Sequence, residues 1–537
     1  MAKGGAKNLT KSASLNAASS VFNYVVFVLV GFVTNPILLT WLGSNLFGIW
    51  KICQRLLTYV SAADGRATQA LKWTIANKQS LDDVAEKQRD VGCAIVVWLR
   101  FLPLILVTGS LLTWFSPHFI KGLLPEYYTV TRLTCGILVF NLVISPLRTI
   151  PEALLIGMNL GYRCTWIHSI GAVTGGILMV TTAYLGWGLV GLATAVFVAG
   201  LIRGVVILVV AKKNLSWFKA NRPEKQEVKQ FLGFSIWIFS WTFINKLMIS
   251  GDIIILGLVS SAQMVTFYAL TSYSMQIAIS LSAMLVSAAV PGLGGIVGRG
   301  DFAKATKVRA EIMTFSWLVT AMVGSLILLW NFSFVKLWVG PENFVGFAEN
   351  LLLVIMTTQL IFIRNDAQIV DVSLKIKNKV LLGGVSTIIA FALAFWLGNS
   401  MVSPIFGITL GLIAGRMILT LSYPMLVRRI FQNSEERQGA NMARPLLAMI
   451  TMYGAAAVIS SHLEIDNWWQ LIGYGSASLL PIAVLAFFLG LSKSRRDLVV
   501  ARINQAGLSR FPRLKPRSRS IETSFGSCKG PSVKDKI

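Results

Sequence analysis

Apolar runs of about 20 residues recur along almost the whole chain, each closed by a short polar stretch. A helix of that length crosses the hydrocarbon core of a bilayer, and inside lipid the backbone is satisfied only by helices or closed barrels. The run length selects helices. The pattern predicts fourteen spans, near 17–40, 46–66, 91–114, 129–155, 164–184, 189–211, 231–256, 266–290, 310–331, 349–371, 379–397, 404–427, 444–461 and 468–490. The basic stretch MAKGGAKNLTKSASLN runs into the first of these, which is too long for the apolar core of a cleaved signal and reads as a retained helix. Composition agrees. Of 537 residues, 55% are hydrophobic and 13% charged, against about 25% charged in soluble domains. The expected class is an all-α, multi-pass membrane protein.

The formal charge of +26 invites a nucleic-acid reading, but its placement argues against one. Loops on the N-terminal side, with both tails, hold 38 of the 49 Lys and Arg. Loops on the other side hold Lys121 and Lys336. By the positive-inside rule both termini are expected in the cytoplasm. Most of the charge is therefore a topology signal, and no nucleic-acid partner is expected. From Ser492 onward the chain is polar and basic (SKSRRD, RFPRLKPRSRS) and reads as a disordered cytosolic tail, which fits either anionic lipid headgroups or a solvated segment that only fixes topology.

Offsetting the chain by 216 residues aligns Trp114 with Trp330, Pro125-Glu126 with Pro341-Glu342, Arg148 with Arg364, Gly191 with Gly407, and Lys212-Lys213 with Arg428-Arg429. Each match falls at the same topological place. Spans 1–6 and 7–12 thus read as two copies of a six-helix unit. Six is even, so the copies insert in parallel, an arrangement typical of secondary transporters. The expected organisation is a cytoplasmic N-terminus (1–15), a first lobe (16–213), a linker (214–230), a second lobe (231–429), two extra spans (430–491) and the tail (492–537).

Nine basic residues lie inside the spans: Lys51, Arg55, Arg100, Arg132, Arg148, Arg203, Lys246, Arg364 and Arg416. The acids with them are Asp64, Glu152, Asp252, Asp366 and Asp371. A charge at the centre of a span costs about 2.5–3.5 kcal/mol on insertion scales, so these side chains are expected to face an interior. The stretch ISPLRTIPEAL (144–154) sets Arg148 and Glu152 four apart between prolines, on one face with Asn141 and Ser145. Its repeat mate carries Thr357, Arg364, Gln368 and Asp371 on one face, and Lys51, Arg55, Thr58, Ala62 and Arg66 stripe the second span. Arg148 with Glu152 also fits a structural ion pair bracing a proline-bent helix. Lys51, Arg66 and Arg132 also fit snorkelling to an interface. Asp64 also fits a turn cap. Those readings leave an excess of cations, and a cationic lumen attracts an anion. Arginine suits phosphate because its planar fork donates two hydrogen bonds at once.

Catalytic signatures are missing. The sequence has no DxD, Walker, HExxH or GxSxG motif, and the outer loops are too short for a catalytic domain. The five cysteines and three histidines show no metal spacing. No metal, cofactor or enzymatic activity is expected. Glycine spacings in spans 5, 6 and 12 point to close helix packing.

The stretch LLTWLGSNLFGIWKICQRLLTYVSAADGRATQALKWTIANK resembles the start of polysaccharide flippases of the multidrug/oligosaccharidyl-lipid/polysaccharide exporter superfamily. The matching residues are Pro36, Leu42-Gly43, Phe47-Gly48 and Asp64-Gly65, where the family's D-x-G is shortened because Gly65 follows Asp64 directly. GDIIILGLVSSAQMVTFYALTSYSMQ and AAVPGLGGIVGRGD are similar to the seventh and eighth helices, with Asp252, Tyr268 and Pro291 in place. The resemblance covers about 15–490. It implies a V-shaped pair of six-helix lobes that alternates access. It also implies transfer of a polyprenyl-diphosphate-linked oligosaccharide across the bacterial cytoplasmic membrane, driven by an ion gradient or membrane potential.

Under this reading the diphosphate contacts are Arg55, Arg100, Arg148, Arg364 and Lys246, and Glu152, Asp252 and Asp366 are candidates for ion or proton coupling. The expected partners are the anionic lipid-linked glycan, membrane lipids, and a polysaccharide polymerase or glycosyltransferases. Two other classes stay open: a cation-coupled drug antiporter, which would prefer an acidic, aromatic lumen, and a membrane glycan polymerase or ligase, which would need a larger outer loop.

Overall fold

The computed structural model describes residues 2–61, 67–78, 83–372, 377–431 and 443–508, and among these there is no β-strand. The helices of the first repeat are α1 (Ala2–Val60), α2 (Ala67–Asn77), α3 (Val84–Phe115), α4 (Glu126–Val143), α5 (Ser145–Gly157), α6 (Gly161–Tyr184) and α7 (Gly188–Asn214). Those of the second are α8 (Lys225–Val259), α9 (Ala262–Thr271), α10 (Tyr273–Gly298), α11 (Phe302–Val339), α12 (Phe347–Val372), α13 (Lys377–Ser400) and α14 (Pro404–Ile430). α15 (Ala443–Ser460), α16 (Trp468–Leu485) and α17 (Lys493–Leu508) follow.

Among the described residues twelve helices are long and apolar enough to cross a membrane, or thirteen when α9 and α10, bent by 50°, count as one span. The chain is a multi-pass membrane protein. α1 holds the two spans that the sequence separates, because Gly43 sits between them at φ 74°, ψ 166°. A positive φ is cheap only for glycine, so the joint between the spans falls at that residue. The repeat is visible in the helix boundaries. α6 and α13, and likewise α7 and α14, begin and end 216 residues apart.

Glycines set the closest approaches. Gly407, Gly411 and Gly415 of α14 lie against the backbone of α13 at Leu397, Ala394 and Ala390, where any Cβ would overlap. Without a hydrophobic drive between helices in lipid, such backbone proximity supplies the packing energy. α15 joins the second repeat through Tyr453, whose hydroxyl donates to the Thr320 carbonyl at 2.9 Å.

Two elements depart from the sequence reading. The loop after the second span contains α2, which buries Ala67, Ala70, Leu71 and Ile75. Leu71 and Ile75 join a cluster with Val97, Leu154 and Ile207. The described residues up to 491 form one compact unit, and those from 492 belong to a second. The second was expected to be disordered throughout, yet Lys493–Leu508 is helical. Its Arg, Lys, Leu, Ala and Gln content is helix-favouring, and the Ser492 carbonyl accepts from Arg496 N–H at 3.0 Å. Residues 509–537 lie outside the described residues.

The α13–α14 seam is testable. Gly411→Val is expected to lower the thermal midpoint of the detergent-purified protein, since overpacking typically costs about 1–3 kcal/mol. An unchanged midpoint would show that the backbones do not meet there.

Candidate functional site: a cationic cavity

A cavity of about 160 Å³ lies among α1, α8, α9, α10, α12 and α14. Helical periodicity explains which side chains reach it. On α12, Leu353, Thr357, Leu360 and Arg364 follow at spacings of three and four and share one face. From Ser272, which caps α10, the same spacing brings in Met275, Gln276 and Ile279. The bend at Ser272 closes α9 just before the cavity and turns Tyr268 toward α8. There the Tyr268 hydroxyl donates to Asp252 Oδ2 at 2.5 Å, and the Ile253 N–H donates to Oδ1 at 2.8 Å. Arg55 enters from α1 and Arg416 from α14.

The charges lining the cavity do not cancel. Three guanidiniums, Arg55, Arg364 and Arg416, face one carboxylate, Asp252. Arg416 is 2% exposed. One of its nitrogens donates to the Met248 carbonyl, and Nη1 is buried without a hydrogen-bond partner among the described residues. Asp252 interacts with Arg416 electrostatically. Arg55 and Arg364 make no ion pair among the described residues, where Arg309–Asp366 is buried on both sides and Lys379–Asp371 on the lysine side only. Coulomb energy rises steeply as water is excluded, so unmatched cations in this space favour an entering anion.

The structure thus brings together Arg55, Arg364 and Asp252 of the expected site residues. It sets the others elsewhere. Arg148 does not line the cavity. α4 ends at Val143 and α5 restarts at Ser145, which interrupts the face expected to carry Asn141, Ser145, Arg148 and Glu152. The Arg148 guanidinium turns back and donates to the Asn141 carbonyl at 2.8 Å and to its Oδ1 at 2.9 Å. It also fills the notch left by Gly200 and Gly204 on α7. A charged donor here satisfies a carbonyl that the helix break exposes. The expected Arg148–Glu152 pair does not form. Glu152 instead meets His168 Nε2 on α6 at 2.9 Å.

Asp366 makes a buried bond set with Arg309, at 2.7 Å to Nη2 and 3.1 Å to Nε. That pairing commits it to joining α12 and α11. Asp371 pairs with Lys379, whose ammonium also lies 3.6 Å from the centroid of the Trp241 ring. Lys246 donates to Ser61 Oγ at 2.5 Å, linking α8 to the end of α1. Arg100 is exposed on α3, away from the cavity. Lys51 donates to Asn35 Oδ1 at 3.2 Å. Arg132 lies 4.1 Å from the centroid of the Trp114 ring, the packing expected of a snorkelling side chain. Asp64 and Arg66 lie outside the described residues. At the end of the bundle with the N-terminus, Arg89 and Glu227 pair at 3.0 Å between α3 and α8. The Glu224 backbone N–H and the Arg89 guanidinium hold the Glu227 carboxyl below the usual range.

Sequence reasoning counted Arg416 among the buried cations without giving it a role. Its position held a usable signal. Gly407, Gly411 and Gly415 turn one face of α14 to α13, and residue 416 lies about 100° around the helix from 415, toward α8.

Known proteins share this architecture. An inward-facing multidrug-resistance MATE family transporter of the MOP superfamily superposes with a TM-score of 0.61 at 14% identity, covering 76% of this chain and 96% of that one. The lipid II flippase MurJ, in an inward closed conformation, superposes with a TM-score of 0.62 at 13% identity, covering 92% and 100%. The arrangement of helices is the one these two transporters share. Residues 85–296 match the family model described as polysaccharide biosynthesis protein. The resemblance read from the sequence is borne out by these two findings together. No curated protein matches the chain in sequence. At such identities the likeness fixes the arrangement of helices, and residue roles rest on the geometry above.

Two substitutions separate structural from cavity-facing charge. Asp366→Ala removes the carboxylate that Arg309 bonds twice and is expected to destabilise the protein by about 3–5 kcal/mol, read as a large fall in thermal midpoint. Asp252→Asn keeps the size and one of the two accepting oxygens, and its place beside a cavity leaves room for water, so a smaller fall is expected. Equal falls in both would remove the distinction.

Proposed function

We propose that this chain carries a polyprenyl-diphosphate-linked oligosaccharide across the bacterial cytoplasmic membrane by alternating access, as a step in polysaccharide biosynthesis. The observation that carries the reading is the convergence of Arg55, Arg364 and Arg416 on one cavity, with Asp252 as its lining carboxylate. A diphosphate is a compact dianion or trianion, and guanidinium forks bind its oxygens bidentately. The family match over residues 85–296 and the parallel repeat support a transporter serving glycan assembly.

Size refines the proposal. Pockets for drug-sized ligands measure about 300–1,000 Å³, so a cavity of about 160 Å³ takes the phosphates and leaves the sugars outside it. Passage of the whole cargo requires the two repeats to separate at one end. Asp252, held by Tyr268 and close to Arg416, is placed to exchange these partners when phosphate arrives, which makes it the best-placed coupling carboxylate of the three considered. Glu152 and Asp366 are already paired to His168 and Arg309. An acidic cavity would have favoured the drug-antiporter alternative, whereas this one is net cationic.

The deciding assay is the leaflet distribution of lipid-linked oligosaccharide in cells lacking the chain. Completed repeat units accumulating on the cytoplasmic leaflet would support the proposal. Normal translocation, with new sensitivity to cationic drugs, would replace it by the antiporter reading. In the same assay Arg364→Ala and Arg55→Ala are each expected to cut flux roughly 10- to 100-fold, the range for losing a hydrogen bond to a charged group. Arg364→Lys should recover part of that, because ammonium lacks the fork. Wild-type flux in both alanine variants would defeat the cavity assignment. Arg148→Ala is expected to act on stability instead, by about 1.5–3 kcal/mol, read in the thermal midpoint.

A further inference from the structure

Lys121 and Lys336 are the two basic residues that the sequence sets on the cation-poor side, Lys336 in the last turn of α11. Lys336 has carboxylate partners, Asp466 at 2.9 Å and Glu464 at 3.6 Å. Lys121 has no ion pair among the described residues, and its ammonium donates to the Val259 carbonyl at 3.0 Å. Its backbone N–H donates to the Gly257 carbonyl at 2.8 Å. Both acceptors belong to the last turn of α8, where carbonyls lack intrahelical donors and the helix dipole presents negative charge. Lys121 comes from the first repeat and α8 from the second. One lysine therefore closes the end of a helix in the opposite repeat.

The surrounding contacts make this a tight junction. A Cβ on Gly257 would lie 2.6 Å from the Phe119 carbonyl oxygen and 2.9 Å from Ile52 Cδ1. Beside it, Thr266 Oγ1 donates to the Ser44 carbonyl at 2.5 Å, and Gly48 lies against the Ala262 carbonyl with no room for a Cβ. α1, the α3–α4 loop, α8 and α9 thus close on one another at the end of the bundle that holds Lys121. The Lys121 residue is exposed, so its ammonium bond competes with water. Such a bond biases an equilibrium without freezing it.

We propose that Lys121 and Gly257 form a latch between the repeats, which holds this end of the cavity closed and sets how often it opens. The inference rests on the transport reading, because it assigns the closed end to one step of the cycle. Lys121 acts through α8 and is a positioning residue with no contact to cargo. Gly257 acts by the absence of a side chain. Alanine there is at odds with the closed arrangement only, and within a helix it is otherwise favourable. Both substitutions should therefore move the equilibrium toward opening.

The test uses full-length protein in which the native cysteines are replaced by alanine and Gln276→Cys reports from the cavity lining. A membrane-impermeant maleimide is added from the face carrying Lys121. Lys121→Ala is expected to raise the labelling rate about two- to fivefold, the range for losing a cation at a helix C-terminus. Gly257→Ala should raise it at least as much, Lys121→Arg should stay near the parent rate, and Lys336→Ala should not change it. Rates equal to the parent in Lys121→Ala and Gly257→Ala, or a slower rate in either, would overturn the latch. The two variants perturb folding in different ways, one by deleting a charge and one by adding a methyl group. Labelling involves no glycan, so the latch can fail here while oligosaccharide transfer is upheld, and the reverse.

Discussion

A charged side chain inside an apolar slab has either to be matched by a partner or to face a cavity, because lipid offers it nothing. Most of this protein's interior can be derived from that condition. Arg309 with Asp366 and Lys379 with Asp371 are matched, and each pair joins neighbouring helices of the second repeat. Arg148 is matched by a backbone carbonyl and the Asn141 side chain. Arg132 lies on the Trp114 ring. When these are set aside, Arg55, Arg364 and Arg416 stand out, and they converge on one space with a single carboxylate. Arg148 Nη1, like Arg416 Nη1, is buried without a hydrogen-bond partner among the described residues, and what sets the candidate site apart is that its three guanidiniums share one cavity.

The two repeats have used the same position differently. Arg148 and Arg364 are 216 residues apart and occupy equivalent places. α12 runs unbroken from Phe347 to Val372, so no carbonyl near Arg364 is freed and its guanidinium extends to the cavity. Its mate lies beyond a helix break, where α4 ends at Val143 and the Asn141 carbonyl falls in its last turn. There the cation is consumed by the carbonyl the break exposes. A duplicated helix has thus become a continuous, cavity-facing element in one repeat and a broken, internally braced element in the other.

Glycine plays a matching part in the backbone. Gly43 permits the joint between the first two spans, and Gly407, Gly411 and Gly415 let α13 and α14 touch. Gly48 and Gly257 bring the repeats together at one end. In lipid, close contact is gained through backbone proximity more than through apolar side chains. The seams that bind helices within a repeat and those that close one repeat on the other are therefore built alike, and they differ in how much polar anchoring accompanies them.

Membrane class, helix positions and the internal repeat were legible in the sequence, because lipid imposes span length and hydropathy locally and the duplication preserves spacing. The excess of buried cations was legible for the same reason, as was the close packing of the glycine faces. Which cations stay unmatched was not. Arg148 and Arg364 look alike in one dimension, and only the break at Ile144 and the notch at Gly200 and Gly204 tell them apart. Asp366 looked available until Arg309 arrived from the preceding helix, and Arg416 gained its place only when α14 packed against α8. The helix α2 was hidden because its apolar stripe is short and is stabilised by a tertiary cluster. Sequence thus decided what each segment had to be in a membrane. Tertiary structure decided which charges cancel, because cancellation depends on distances between residues far apart in the chain.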